Sequence, residues 1–188
     1  MNLIVVATFL AHIGDIGRFD DPRRLVGYLG LDPRVHQSGE SPARMGRITK
    51  QGSGDVRRVL TQAAWRAARA PGPLRAFHQR ICARRGPQVA SIALARKLAV
   101  LFWHLLNRDE DYAYAAPSSV RAKRRRLELA AGATPEKGRR RPEGPWRPGP
   151  AQRKVEKEMI LAAEASYRQL ASDRAAAGLN TTNKRQRR

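Results

Sequence analysis

Apolar side chains recur at helical intervals over much of the chain, and this pattern predicts a mainly α protein. They fill most positions of the segment 3–13, and they return at steps of three and four residues from Val56 to Ala67. The segment 89–106 is apolar around most of its circumference, which is typical of the central helix of a domain. Asp21 followed by Pro22 is a typical helix start, and Gly30 a typical end. The predicted helices are 3–13, 22–29, 55–69, 74–84 and 89–106.

The helical period disappears between Asp32 and Gly54, where glycines, prolines and polar residues are frequent. Two short stretches, 34–38 and 46–49, have the composition of a weak β-hairpin. The expected fold is therefore a compact helical domain with a small irregular or hairpin segment between its second and third helices.

The composition changes near Ala115, and we expect a division of the chain at that point. Nearly all of the large apolar residues precede it, so residues 1–114 are predicted to form one domain. Three further segments are predicted after it: a basic arm with a Pro- and Gly-rich linker (115–150), a C-terminal helix (151–178) and a disordered basic tail (179–188). Within the arm, 120–129 has the composition of a highly charged helix, and the C-terminal helix has a narrow apolar stripe, formed by Met159, Ile160, Ala163 and Tyr167.

The charge of the chain predicts a polyanionic partner. There are 37 Lys and Arg against 16 Asp and Glu, a formal charge of +21, of which +12 belongs to the 73 residues after Ala115. Nucleic acid is the first candidate and an anionic membrane surface the second, and charge alone does not separate them. The apolar segment from Leu3 to Leu10 is too short for a membrane span, so we expect no membrane. The lone Cys82 and the absence of zinc-site spacing are typical of a reduced, cytoplasmic protein.

Reactive side chains converge in the irregular segment. If it is extended, Arg34, His36, Ser38 and Glu40 share one face, which would bring together a cation, a candidate base and a hydroxyl. Serine attacks a phosphodiester only when a base or a metal helps to remove its proton and when cations surround the phosphate oxygens. Arg44, Arg47 and Lys50 follow closely and are predicted to bind nucleic acid together with Arg34 and His36. Spacing alone favours a plainer alternative, in which the Ser-Gly pair is a turn and His36 is a solvated polar residue.

Two pairs of basic residues on helices are further candidates for nucleic-acid binding. Arg57 and Arg58 lie in the first turn of a predicted helix, where the amide dipoles favour an anion, although surface arginines of an amphipathic helix would look the same. Arg96 and Lys97 interrupt the apolar central helix, so we expect each to contact either nucleic acid or a carboxylate.

Other chemistries have little support in the sequence. No phosphate-binding glycine loop and no His-Glu-x-x-His motif occurs, so nucleotide hydrolysis and zinc proteolysis are unsupported. Four aspartates are close in sequence, but caps and turns explain them more simply than a magnesium site: Asp15, Asp20, Asp21 and Asp32.

Four blocks of sequence resemble a known family. They are ATFLAHIGDIGRF, LVGYLGLDPRVHQSGES, GRITKQGSGDVRRVLTQAAW and ASIALARKLAVLFWHLL. In order and spacing, from Val6 to Tyr114, they resemble the C-terminal domain of the bridge-RNA-guided insertion-sequence transposases, also called transposase family twenty or the IS one-ten group. The resemblance implies DNA transposition, a form of site-specific recombination, with DNA and a guide RNA as partners and a homo-oligomeric assembly.

The resemblance also implies a composite active site. In that family, an N-terminal RuvC-like domain with four acidic residues holds magnesium, and the C-terminal domain contributes a serine that joins covalently to DNA. Ser38 matches that serine by position, with Ser41 as the alternative, while Arg57 and the pair Arg96-Lys97 match basic positions of the family. No cofactor is expected to bind this chain itself, because magnesium belongs to the acidic domain.

Two departures from the family pattern affect the expected activity. The RuvC-like domain is missing, and Met1 to Ile4 replace a glycine hairpin, so the chain resembles a truncated or mis-started reading frame. We therefore expect it to be inactive in DNA cleavage on its own. The alternatives are a non-enzymatic nucleic-acid-binding remnant and, on charge alone, a ribosome-associated basic protein.

Overall fold

The structure is a computed structural model that describes residues 3–37, 39, 43–134 and 149–177. Over these residues the chain forms seven α-helices, one short 3-10 helix at Ile16–Arg18 and one antiparallel hairpin, which confirms the prediction of a mainly α fold. The helices are α1 (Leu3–Ile13), α2 (Pro22–Tyr28), α3 (Gly54–Arg69), α4 (Pro73–Arg85), α5 (Pro87–Arg108), α6 (Pro117–Ala130) and α7 (Pro150–Ala176). The strands are β1 (Pro33–His36) and β2 (Arg44–Ile48).

The chain divides into two compact units, Met1–Asp111 and Tyr112–Arg188. The first contains α1 to α5 and the hairpin, and the second contains α6 and α7. The predicted linker and tail lie largely outside the described residues, so those domain boundaries stay predictions.

Helix α5 is the centre of the first unit, as its apolar circumference predicts. It packs against α2, α3 and α4, and its Leu94, Leu98 and Phe102 are buried. Phe102 also meets Phe9 of α1 edge to face, with ring centroids 5.0 Å apart. By length and composition α5 could cross a membrane, but a buried core helix of this kind passes the same test.

The segment between the α1 and α2 helices is held by short polar contacts. Asp15 caps the 3-10 helix by accepting from the Gly17 amide, and Asp21 caps α2 by accepting from the Arg23 amide at 2.7 Å. The prediction that caps explain these two aspartates is confirmed.

The second unit is held together in a way that its sequence pattern did not predict. On α7 the buried side chains are Glu156 and Glu164, whereas Met159 of the predicted apolar stripe is exposed. The carboxylate of Glu156 accepts from both the backbone amide and the hydroxyl of Ser118, at the start of α6. A carboxylate at the N-terminus of α6 is therefore a buried contact of α7, and the role of the apolar stripe stays a prediction.

Candidate nucleic-acid interface

The β1–β2 hairpin is solvent-exposed on both faces and rich in cations. Its strands pair antiparallel, with Val35 opposite Met45 and His36 opposite Arg44, and every residue from Arg34 to His36 and from Arg44 to Arg47 is exposed. The exposed cations on or next to the strands are Arg34, Arg44, Arg47 and Lys50. Two-stranded ribbons of this kind are narrow enough to enter the major groove of duplex DNA.

His36 and Arg44 stand opposite each other where the two strands end. The His36 ring lies across Gly46, and a Cβ at that glycine would be 3.2 Å from the His36 Nε2 atom. Gly46 therefore leaves space for the imidazole on the same face as Arg44, at the entrance to the connecting loop. This places the predicted base and one predicted cation side by side.

The predicted nucleophiles belong to that connecting loop but lie outside the described residues. Ser38, Ser41 and Glu40 are among them, so the expectation that Ser38 shares a face with Arg34 and His36 stays a prediction. In the sequence, Ser38 follows the last residue of β1 by two positions, and Ser41 precedes the first residue of β2 by three.

Two glycines allow the backbone at the base of the hairpin to pack closely against the end of α2. Gly30 has a φ of +67°, and a Cβ there would lie 2.7 Å from the backbone nitrogens of Gln51 and Gly52. A Cβ on Gly52 would lie 2.1 Å from the Tyr28 carbonyl oxygen. The two backbones thus approach more closely than any side chain permits, and the Lys50 amide donates to the Gly30 carbonyl at 3.1 Å.

Arg57 also contacts the junction between the end of α2 and the base of the hairpin. Its Nη1 donates to the carbonyl oxygens of Leu29, at 3.2 Å, and Gly52, at 2.5 Å. The guanidinium therefore joins the end of α2 to the turn that precedes α3, and the side chain is half-buried. Arg57 thus has a positioning contact in the fold, and its predicted role in binding nucleic acid stays a prediction.

Arg96 forms a third contact near the base of the hairpin. Its Nη2 lies 2.7 Å from the Asp32 carboxylate, directly before β1, and the Asp32 carbonyl accepts from the Thr49 amide at 2.8 Å. Of the two expectations for this arginine, nucleic acid or a carboxylate, the structure shows the carboxylate. The cationic hairpin is consequently anchored to α2, α3 and α5 at its base while its strands are exposed.

The remaining predicted cations differ in exposure. Arg58 is exposed and forms an ion pair with Asp55 at 3.0 Å. Lys97 is half-buried, with its Nζ 5.1 Å from the centroid of the Phe77 ring, and burial first and the charge of Arg80 second lower its pKa. Lys97 therefore faces an aromatic ring of α4 in this unit.

The four aspartates noted in the sequence all have partners. Asp15 and Asp21 are helix caps, while Asp20 pairs with Arg24 at 3.0 Å and Asp32 with Arg96. Within the part of the chain that the structure describes, no three His, Cys, Asp or Glu side chains form a group that could hold a metal ion.

Comparison with known proteins shows what this hairpin-bearing domain is similar to. Three curated relatives are named as transposases. Protein y4qE of Sinorhizobium fredii is 48% identical over 65 residues, which is 35% of this chain and 16% of the relative. The transposase for insertion sequence element IS1111A of Coxiella burnetii is 34% identical over 116 residues, 60% of this chain and 32% of the relative. A protein of Pseudomonas aeruginosa named as a family 20 transposase is 32% identical over 113 residues, 58% of this chain and 33% of the relative.

A domain match supports the family resemblance. Residues 1–79 match the Transposase IS116/IS110/IS902 family model, so this part of the chain is similar to the domain of that family. The resemblance of the four sequence blocks is thereby confirmed. The chain spans about a third or less of the length of the curated relatives, and the matched residues include α1 to α3 and the whole cationic hairpin.

Proposed function

We propose that this chain acts in the transposition of an insertion sequence, binding DNA through the β1–β2 hairpin and supplying Ser38 as the nucleophile of a composite active site. The observation that carries the proposal is the position of the Ser38 loop in a transposase-family domain. The loop joins two exposed strands, with His36 and Arg44 paired at its entrance. Cations on both strands supply the positive charge that a phosphodiester needs, and DNA is the substrate that the family implies.

The proposed chemical step is a transesterification. The Ser38 Oγ atom attacks phosphorus, an Oγ–P bond forms, and the P–O bond to the departing deoxyribose oxygen breaks. The hydroxyl proton passes to the His36 ring, and the departing oxygen takes a proton from water. Arg44 and its neighbours stabilise the negative charge on the non-bridging oxygens as the phosphorus becomes five-coordinate.

The assembly around this domain is part of the proposal. We propose that magnesium is held by an acidic RuvC-like domain, that a guide RNA contributes to target choice, and that the working form is a homo-oligomer. The family resemblance supports all three. The proposed location is the cytoplasm, which the lone, unpaired Cys82 supports.

The test is the detection of a covalent adduct. This chain is mixed with labelled DNA and with a full-length relative whose own matching serine has been changed to Ala, so that only this chain can supply the hydroxyl. A labelled band at the mass of this 21.0 kDa chain plus DNA is expected, and Ser38→Ala should abolish it. Ser41→Ala is the matched control, and an adduct that persists in Ser38→Ala but is lost in Ser41→Ala rules out Ser38.

A second candidate function is nucleic-acid binding without chemistry. It is favoured by α6, where Lys123, Arg124 and Arg126 are all exposed within four residues. No adduct in the complementation experiment, combined with salt-dependent DNA binding that survives Ser38→Ala, would support this candidate. Both candidates predict salt-dependent binding, so the adduct decides between them.

A further inference from the structure

Helix α3 presents a second cationic surface, separate from the hairpin. Four exposed residues follow one another along it at steps of four, three and four: Arg58, Gln62, Trp65 and Arg69. At 100° per residue these positions fall on one narrow stripe, and Arg66 lies beside it. The opposite face of α3 supplies Val56, Leu60 and Ala64 to the core, so the stripe faces solvent.

Trp65 is the unusual member of this stripe. Its side chain is 43% exposed, although an indole gains most from being buried. The ring rests against the buried His78 of α4, with centroids 6.3 Å apart and planes inclined at 52°. His78 is in turn backed by Ser91 of α5, whose Oγ lies 3.5 Å from the His78 Nε2 atom. The indole thus contacts His78 on one side and is accessible to solvent on the other.

The charges around Trp65 indicate which ligand would cover it. Arg66 and Arg69 are exposed, and among the described residues neither forms an ion pair. The acidic residue of α3, Asp55, is already paired with Arg58. An aromatic ring flanked by uncompensated guanidinium groups suits a ligand that has both a flat face and a negative backbone, which describes a single-stranded nucleic acid.

We propose that Trp65 is a stacking platform for an unpaired nucleotide base, with Arg66 and Arg69 binding the adjoining phosphates. The stripe from Arg58 to Arg69 covers about 16 Å of helix axis, enough for roughly five stacked nucleotides. Duplex DNA cannot offer a base face to this indole without unstacking, so the platform discriminates between single and double strands. The inference does not depend on Ser38 or on the hairpin.

The experiment compares a single-stranded oligonucleotide with a duplex of the same length, using fluorescence anisotropy at one salt concentration. Trp65→Leu, which keeps an apolar contact on His78 but has no aromatic face, should weaken single-strand binding about tenfold and leave duplex binding unchanged. Trp65→Phe should retain most of the affinity. Tyr114→Ala is the matched control, since Tyr114 is 47% exposed but lies beside Tyr112 in the other unit.

A ligand-side change completes the test without any variant of the protein. An oligonucleotide with a tract of abasic sugars keeps the phosphates but has no bases to stack. It should bind the unaltered chain about tenfold more weakly than the intact oligonucleotide, and it should bind Trp65→Leu no worse than the intact oligonucleotide does. Equal affinity of the unaltered chain for both oligonucleotides, or an equal loss of single-strand and duplex binding in Trp65→Leu, would overturn the platform. The second result would show that Trp65 does not discriminate between single and double strands.

Discussion

The close approach of Gly30 and Gly52 allows the cost in stability of substituting either glycine to be predicted. Gly52→Ala would place a methyl group 2.1 Å from the Tyr28 carbonyl oxygen, where only backbone can move aside. Gly30→Ala adds a second fault, because its φ of +67° is strained for any residue with a Cβ. Gly14→Ala isolates that strain, since Gly14 has a φ of +64° and a Cβ added there would meet nothing within 4 Å.

The three substitutions should therefore rank by the number of faults that each introduces. Left-handed strain costs about 1–2 kcal/mol, and forcing a methyl group into packed backbone costs about 1–3 kcal/mol. We expect Gly14→Ala to cost the first amount, Gly52→Ala the second, and Gly30→Ala roughly their sum, about 2–5 kcal/mol. The entropy that alanine removes from the unfolded chain is common to all three and cancels when they are compared.

Urea unfolding of the complete chain, followed by circular dichroism, measures these costs as shifts of the midpoint. A difference of 2 kcal/mol shifts the midpoint by about 1 M when the denaturant slope is about 2 kcal/mol/M. A Gly30→Ala variant that is no less stable than Gly14→Ala would refute the close contact, because the two glycines share their backbone strain and differ only in that contact. The DNA affinity of Gly52→Ala, compared with that of the unaltered chain, would show how far DNA binding by the hairpin depends on this junction.

Three further predictions concern charged side chains. Arg57→Lys should destabilise the chain by about 1–3 kcal/mol, because an ammonium cannot reproduce the guanidinium bridge between two carbonyls. Arg58 is exposed, so Arg58→Lys should cost less than about 0.5 kcal/mol. Equal urea midpoints for the two variants would contradict a stabilising role of the Arg57 bridge. Arg44→Gln and Arg47→Gln should each reduce the slope of log affinity for duplex DNA against log salt by about 0.9, and an unchanged slope would remove that residue from the interface. The lowered pKa of Lys97, caused by burial and then by a neighbouring arginine, means that the native state binds fewer protons than the unfolded chain, so stability should rise as pH increases toward 10.5. Lys97→Met should flatten that rise in urea midpoints taken at alkaline pH, and an unaltered rise would assign it to another group.

The helices were predictable because each one has its own local signals. Asp21 and Pro22 mark the start of α2, and the step of three and four residues from Val56 places one face of α3 in the core. The hairpin was a weaker prediction, since its strands are exposed on both faces and show no alternation of apolar and polar residues. Its ends consequently differ by one or more residues from those expected.

The contacts that anchor the candidate site depend on tertiary structure and could not be read from the sequence. Arg57 has the sequence context of a phosphate-binding residue, yet its Nη1 meets carbonyls 5 and 28 residues away. Asp32 looked like a turn residue, and only the tertiary structure shows that it forms an ion pair with Arg96 of α5. Backbone approach at Gly52 leaves no signal except the glycine itself, which is equally compatible with an ordinary turn.

Trp65 and Glu156 are two further residues whose exposure differs from what their residue type suggests. Residue type alone favours the core for an indole and solvent for a carboxylate, but the structure exposes the first and buries the second. In each case tertiary contacts contribute: His78 lies against the exposed ring, and Ser118 donates to the buried carboxylate. Such pairings join residues that are far apart in the chain, and helical periodicity has no information about them.

A ribbon of only two strands has two open edges, and each edge presents unpaired amide and carbonyl groups to any other extended chain. The arginines of this hairpin keep such edges apart by mutual repulsion, so the charges proposed to attract DNA also protect the protein from strand-to-strand aggregation. Removing several of them at once would leave the exposed Val35 and Met45 beside uncharged edges. A variant designed to abolish DNA binding by neutralising the hairpin should therefore be checked for self-association before its affinity is interpreted.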